Sequence, residues 1–231
     1  MYKFEIKQDK PVDKTIWDKD MWYEDNAVTP HYTKEYPWWE SSFGKVYKQM
    51  TPHLENKRKA IDVGACVGQW ARQLSKDFQE VLCFEPRKIA IPKFLLNVDM
   101  TNVRLFNCGI GDKHQQVLMS KSRVGDFPLQ NGKPVKDKYK ETVDIVPIDE
   151  HNLTEIDLIK IDTDGYEQWV LPGMEQTIKT NKPLIVIEQF KWWDGGLPGF
   201  KYMEAVMTLR SWGYRCVGQH GFDWIMKYEK A

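Results

Sequence analysis

From Lys59 onward, short apolar runs alternate with segments of helical period, and this rhythm limits the possible folds more than any other feature of the chain. "KAIDVG" reads as a buried strand ending at a glycine. "GQWARQLSKDF" follows, with Trp70, Leu74 and Phe78 recurring at i, i+4 and i+8. "EVLCFEP" is a second strand closed by Pro86, "KIAIPKFLLNVDM" a helix whose start Pro92 shifts, and "VRLFNCGIG" a third strand. After two extended segments around the polar loop Arg123 to Lys138, the alternation resumes with "IDLIKID", a helix from Tyr166 to Lys179, "PLIVIEQF" and the helix "KYMEAVMTLRSWGY". The last residues form a hairpin around His220-Gly221. Such alternation predicts an α/β doubly wound sheet, mostly parallel and covered on both faces, with an antiparallel strand at one edge.

Residues 1–57 differ in texture. They are rich in Trp, Tyr and charge, with one helix expected from about Trp39 to Met50, stopped by Pro52. This divides the chain into a Trp-rich segment (1–57) that packs on or lids the core, and a domain spanning 58–231. Several of the ten tryptophans lie outside the strands: Trp17, Trp22, Trp38, Trp39, Trp192 and Trp193. Packing onto a core is their first expected role; stacking on a sugar or a base is the sharper alternative.

Composition excludes several function classes. Lys+Arg and Asp+Glu both number 33, so zero net charge argues against bulk binding of nucleic acid. No apolar run approaches the ~20 residues a bilayer span needs, and "MYKFEIKQDK" has no signal-like apolar region. The four cysteines, Cys66, Cys83, Cys108 and Cys216, are far apart and form no C-x-x-C. A reduced, cytoplasmic protein without zinc or disulfides is the expectation. Composition says nothing of oligomeric state.

"DVGACVGQW" follows the first strand directly. Gly64 and Gly68 let the backbone turn tightly and approach a ligand, and the next helix offers its unpaired N–H groups. The spacing does not fit the dinucleotide G-x-G-x-x-G, and there is no G-K-[ST] phosphate loop. The second strand ends in an acid, Glu85, and 85 − 64 = 21 positions separate it from Gly64. An acid there is placed to accept hydrogen bonds from two ribose hydroxyls. A turn without a dedicated phosphate site, joined to a ribose acid, suits S-adenosylmethionine (SAM), with its sulfonium and amino acid over Gly64, Ala65, Cys66 and Gly68. Asn107, at the end of the third strand, would reach the adenine edge with its amide.

A second cluster closes the fourth strand. "LIKIDTDGYE" carries Asp162, Asp164 and Glu167 in six positions. Read alone, its D-x-D suits a metal-dependent glycosyltransferase that uses a nucleotide sugar. In a doubly wound sheet, however, ligands sit beyond the carboxyl ends of the strands, where Asp62, Asp162 and Glu188 converge. Asp62 then belongs with the cofactor. Asp162 is the first choice for contact with an acceptor or the SAM amino group, and Asp164 the alternative base. Lys160, two residues earlier on the same strand face, would pair with Asp162 or position the acceptor oxygen. Glu167 reads as a helix cap, and His151 and His220 as solvated. Asp162, Asp164 and Glu188 could hold magnesium or calcium through oxygen, but nothing in the sequence requires a metal.

"AIDVGACVG", "CFEP", "VDIVPIDEH", "DLIKIDTDGYEQWVLPGM" and "PLIVIEQF" together resemble the FkbM-type SAM-dependent methyltransferases, over roughly Lys59 to Phe190. The resemblance implies a class I methyltransferase (Rossmann-like) fold, a seven-stranded sheet whose last strand is antiparallel. It implies SAM as cofactor and methyl transfer as activity. The acceptor it suggests is a hydroxyl on a sugar, glycan or small polyhydroxylated metabolite, a guess joined to the loop "FKWWDGG". Three positions depart from the family pattern: Cys66 where Asn is common, Asp164 where Glu is usual, and Tyr166 where a small residue is common. The competing readings are the D-x-D glycosyltransferase and a non-catalytic module that holds a glycan or protein on the same fold.

Overall fold

A computed structural model describes residues 2–7, 42–120, 140–189 and 201–229. The six tryptophans named above, the loop 123–138 and "KWWDGG" lie outside these residues.

Eight strands form the main sheet, in the order β1-β4-β3-β2-β8-β9-β11-β10. They are β1 (Glu5–Ile6), β2 (Lys59–Val63), β3 (Glu80–Phe84), β4 (Val103–Phe106), β8 (Ile156–Ile161), β9 (Leu184–Glu188), β10 (Tyr214–His220) and β11 (Asp223–Tyr228). The strands β4, β3, β2, β8 and β9 are mutually parallel. Between them come α2 (Gln69–Asp77), α3 (Ile91–Asn97), α4 (Glu167–Val170) and α5 (Glu175–Asn181), and α6 (Glu204–Ser211) precedes β10. A second sheet of three strands, β5 (Gly109–Ile110), β7 (Lys140–Val146) and β6 (Gln115–Ser120), stands beside it.

The period of two along each strand builds two apolar layers. Ile61, Val63, Leu82, Phe84, Ile159, Ile161, Ile185 and Ile187 face Val170, Ile178 and Leu209 from α4, α5 and α6. Ala60, Val81, Cys83, Leu158, Leu184 and Val186 face Val46 of α1 (Ser42–Met50), Leu74 of α2 and Phe94 of α3. Both faces are therefore covered, as the near-continuous apolar runs require. Among the described residues, no helix is long and apolar enough to cross a membrane.

Four expectations need correction. The main sheet has eight strands, not seven, because β1 pairs antiparallel with β4. Arg104 holds it there, donating to both oxygens of Glu5 at 2.8 and 3.0 Å. In the terminal hairpin the antiparallel strand is not the edge strand: β11 lies between β9 and β10 and runs against both, and the antiparallel strand at an edge is β1, at the far side of the sheet. "VRLFNCGIG" is two strands, since the chain turns at Asn107-Cys108 and Gly109 joins β7. The helix from Tyr166 to Lys179 breaks into α4, a 3₁₀ turn (Leu171–Met174) and α5. Pro172 lacks the N–H that a continuous helix needs, and Gly173 packs where a Cβ would lie 1.9 Å from the carbonyl oxygen of Gly111. Pro92 does mark a helix start, in the first turn of α3.

Candidate functional site

Two turns are made only by glycine at the head of β2. Gly64 has φ +80°, and a Cβ on it would fall 1.8 Å from the Asp162 carbonyl oxygen, so β2 and β8 end in direct backbone contact. Gly68, φ +90°, opens α2, and a Cβ there would meet Val98 at 2.3 Å. The turn is tied on both sides. Gly64 and Ala65 donate their N–H groups to Phe84 O at 2.9 and 3.0 Å. The Asn97 side chain donates to Val67 O at 2.8 Å. Cys66 sits between the glycines with φ 49°. Burial pushes its thiol up to about 11, so it is neutral.

Glu85 at the tip of β3 is 2% exposed and already engaged. Its Oε2 accepts the Cys66 N–H at 2.8 Å, and its Oε1 accepts both the Arg87 backbone N–H at 2.9 Å and Nε at 3.0 Å. Burial by itself would lower Arg87, but the Glu85 carboxylate raises it well above its ordinary value. Its guanidinium also reaches the Cys66 sulfur at 3.6 Å. Asn107 donates through Nδ2 to Glu85 O and Pro86 O, both at 2.9 Å, so its amide braces the tip of β3. Arg87 is absent from the candidate residues read in the sequence. Its signal was its place two residues after a buried acid, where a strand-end carboxylate needs a partner.

Acids gather at the tips of β8, β9 and β11. Lys160 is 3% exposed, and its ammonium lies 2.9 Å from Gly64 O, 3.2 Å from Asp62 Oδ1 and 3.4 Å from Asp162 Oδ2. Burial opposes its charge, but Asp162 and Asp62 outweigh burial and raise it above the ordinary lysine range. Asp62 is sealed from solvent and burial raises its carboxyl, with Lys160 its counter-ion. Asp162 is different: its side chain is 34% exposed, so it faces outward from this buried pair. Asp164 has φ 53° and is raised to about 6 by burial and by the nearby Asp162. Glu188 is raised by burial and Asp162, and its Oε2 is buried with no hydrogen-bond partner among the described residues.

Glu167 is structural, as its position suggests. Its Oε1 accepts from Thr163 N, Thr163 Oγ1 and Gly165 N at 2.9 to 3.0 Å, closing the turn that carries Asp164. Asp223, missing from the candidate residues, begins β11 in register with Glu188. Because β11 runs antiparallel, its first residue comes to the end where the parallel strands finish. His220 pairs with Asp223 across the hairpin and lies at the same end. His151 precedes β8 and lies toward the opposite end.

The geometry thus brings together Asp62, Gly64, Lys160, Asp162, Asp164 and Glu188, and sets Ala65, Cys66, Gly68, Glu85 and Asn107 beside them. Oxygens of Asp162, Asp164 and Glu188 lie within 4.8 Å of one another, a spacing a hard cation accepts, though exposed acidic groups are common without one. Lys160 already provides a positive charge beside Asp162.

Residues 62–216 match the model of the methyltransferase FkbM domain. Among solved structures, the methyltransferase FkbM of Methylobacillus flagellatus KT is 17% identical, with a TM-score of 0.50. The match covers 75% of this chain and 44% of that one, so the chain spans under half of that protein's length. An rRNA methylase of Streptococcus thermophilus, 11% identical, matches with a TM-score of 0.51 over 83% of this chain and 98% of its own. No curated protein sequence matches the chain. The likenesses place the fold among the class I methyltransferases.

Proposed function

The chain belongs to the FkbM methyltransferase family, and from that premise we propose that it moves a methyl group from SAM to a hydroxyl of a sugar, glycan or small polyhydroxylated metabolite. The observation that carries this reading is Asp162: a partly exposed carboxylate at the tip of β8, 3.4 Å from a buried ammonium. A hydroxyl holds its proton until a base takes it, whereas a neutral amine needs none removed before attack. A row of carboxylates beside the transfer point therefore favours oxygen as the acceptor.

The residues fit SAM by their chemistry. Glu85 Oε2 accepts one N–H and retains acceptor capacity for a ribose hydroxyl. The Gly64–Gly68 turn presents backbone without bulk, and the acids at the strand tips favour a cationic group. Bound SAM supplies an electrophilic methyl on a sulfonium. The chain's own part is alignment and proton removal: Lys160 holds Asp162 in place, and Asp162 accepts the hydroxyl proton as the oxygen attacks in line. The D-x-D spacing is then incidental, with Asp164 serving the same pocket.

Calorimetry tests the reading. SAM should bind and a uridine nucleotide sugar should not, and Glu85→Ala should abolish SAM binding. A chain that ignores SAM and binds the nucleotide sugar overturns the proposal. Labelled SAM incubated with fractionated host extract then finds the acceptor.

A further inference from the structure

Three acids stand in a row across β8, β9 and β11. The β8–β9 ladder closes with Ile161 against Ile187, and one residue further on come Asp162 and Glu188. Glu188 is in register with Asp223 on the antiparallel β11. Asp164 joins the row from the turn after β8, its oxygen within 4.8 Å of those of Asp162 and Glu188. The distances among these acids depend on how β8 and β9 part beyond the ladder.

Side chains build that parting. Asp162 turns its N–H to Val63 O on β2 at 3.1 Å. Successive residues of a central parallel strand bond alternately to its two neighbours, so the next rung toward β9 falls to Thr163 N and Glu188 O. Each goes to a side chain instead. Thr163 N donates to Glu167 Oε1 at 2.9 Å, and Gly165 N does so at 3.0 Å. Glu188 O accepts from Gln189 Nε2 at 3.0 Å. The two side chains then meet, with Gln189 Nε2 at 3.4 Å from Glu167 Oε2. A longer bridge, Thr163–Glu167–Gln189–Glu188, thus stands in place of the rung. It is sealed from water, since Glu167 is 1% and Gln189 3% exposed.

Gln189 suits this place by its chemistry. Both groups its amide meets are acceptors, so its nitrogen, with two donors, faces them and its oxygen faces away. That oxygen is buried with no hydrogen-bond partner among the described residues. Packing alone does not favour an amide that leaves a buried oxygen unpaired, and such departures concentrate at functional positions. The Gln189 backbone N–H donates to Phe222 O at 2.8 Å, so the same residue fastens the tip of β9 to the hairpin that brings in Asp223.

We propose that Gln189 is a positioning residue for methyl transfer. Through Glu167 it holds the Thr163–Gly165 turn off β9, and so it sets Asp162 and Asp164 at their working distance from Glu188. The inference rests on the SAM-dependent reading above. It concerns the step after cofactor binding, because the hydrogen bonds of Gln189 go to Glu167, Glu188 and Phe222 and to none of the residues assigned to the cofactor.

The test compares the full chain with Gln189→Met, a side chain of similar length without the donors. SAM affinity is read by calorimetry. The transfer rate is read by single turnover at saturating labelled SAM, with the extract fraction that takes up the methyl group as acceptor. Transfer should fall about 10- to 100-fold while SAM affinity stays within about threefold. The double variant Glu167→Gln/Gln189→Glu exchanges donor and acceptor across the bridge and should recover at least about threefold of the lost rate. Gln189→Glu alone, which sets two carboxylates face to face, should recover none. If Gln189→Met does not fold, Gln189→Asn keeps the amide, draws it back from Glu167 and gives the same measurement. Transfer at the wild-type rate, a parallel loss of SAM affinity, or no recovery in the exchanged pair overturns the inference and leaves the methyltransferase reading intact. Failure of the wild-type chain to bind SAM, or of every fraction to take up label, overturns both.

Discussion

The two halves of the strand-tip surface are built on opposite electrostatic terms. At the tip of β3, the buried acid Glu85 is matched by Arg87 and by two backbone N–H groups. At the tips of β8, β9 and β11, the acids exceed their partners among the described residues, and Glu188 keeps a buried oxygen with no hydrogen bond from any of them. The charge at the β3 tip is matched before any ligand arrives, which leaves shape and hydrogen bonds as its means of recognition. The second half has unmet charge, which a cation or a proton must complete. In the proposed function, recognition belongs to the matched tip and reactivity to the acid-rich one.

The strongest challenge to that division is Asp162→Asn. It should lower methyl transfer about 10²- to 10⁴-fold, read by single turnover with labelled SAM, while SAM affinity changes only a few-fold. Wild-type transfer would place the chemistry elsewhere. On the satisfied half the matching experiment is Arg87→Met. It strands Glu85 as a buried, half-paired charge and should cost about 3–5 kcal/mol in urea unfolding. Adding Glu85→Gln should recover most of that loss.

Gly64→Ala probes the seam between the halves. Its Cβ would overlap the Asp162 carbonyl oxygen in a backbone region that disfavours side chains, so a loss of roughly 3 kcal/mol is expected by the same assay. The smallest effect is a slope. Asp223 is raised to about 7 in the fold, against about 4 unfolded. The folded chain therefore binds more protons than the unfolded one between those values, and stability falls as pH rises through that window. Asp164 and Glu167, raised to about 6 and about 7, act in the same direction. Asp223→Asn should flatten the decline by at most ~1.4 kcal/mol per pH unit, measured as urea midpoints from pH 4 to 8.

What could be read in the sequence was whatever depends on neighbours along the chain. The parallel strands, the Gly64–Gly68 turn, the acid at Glu85, the Pro92 helix start and the same-face placement of Lys160 and Asp162 all follow from local period and punctuation. What escaped depends on which distant strands meet. β1 is two residues long, and it pairs through distant residues: Arg104 binds Glu5, and Asn107 donates its N–H to Phe4 O at 2.8 Å. Asp223 opens a strand whose neighbour β9 lies 35 residues earlier, counted from Glu188, and nothing local announces that β11 inserts between β9 and β10. Arg87 was visible as a residue, but its role follows from the burial of Glu85, which only the packed sheet determines.

The insertion of β11 bears on how such a site tolerates change in length. Asp223 enters the row because β11 presents alternate residues to one face, and Trp224 takes the other. Phe222 extends the pairing with β9 beyond the strand, its carbonyl oxygen accepting the Gln189 N–H at 2.8 Å. One residue gained or lost between Asp223 and Met226, the stretch paired with β9, exchanges Asp223 for an aromatic ring on the opposite side. Changes of length in β11 therefore keep an acid on the row's face only in steps of two residues.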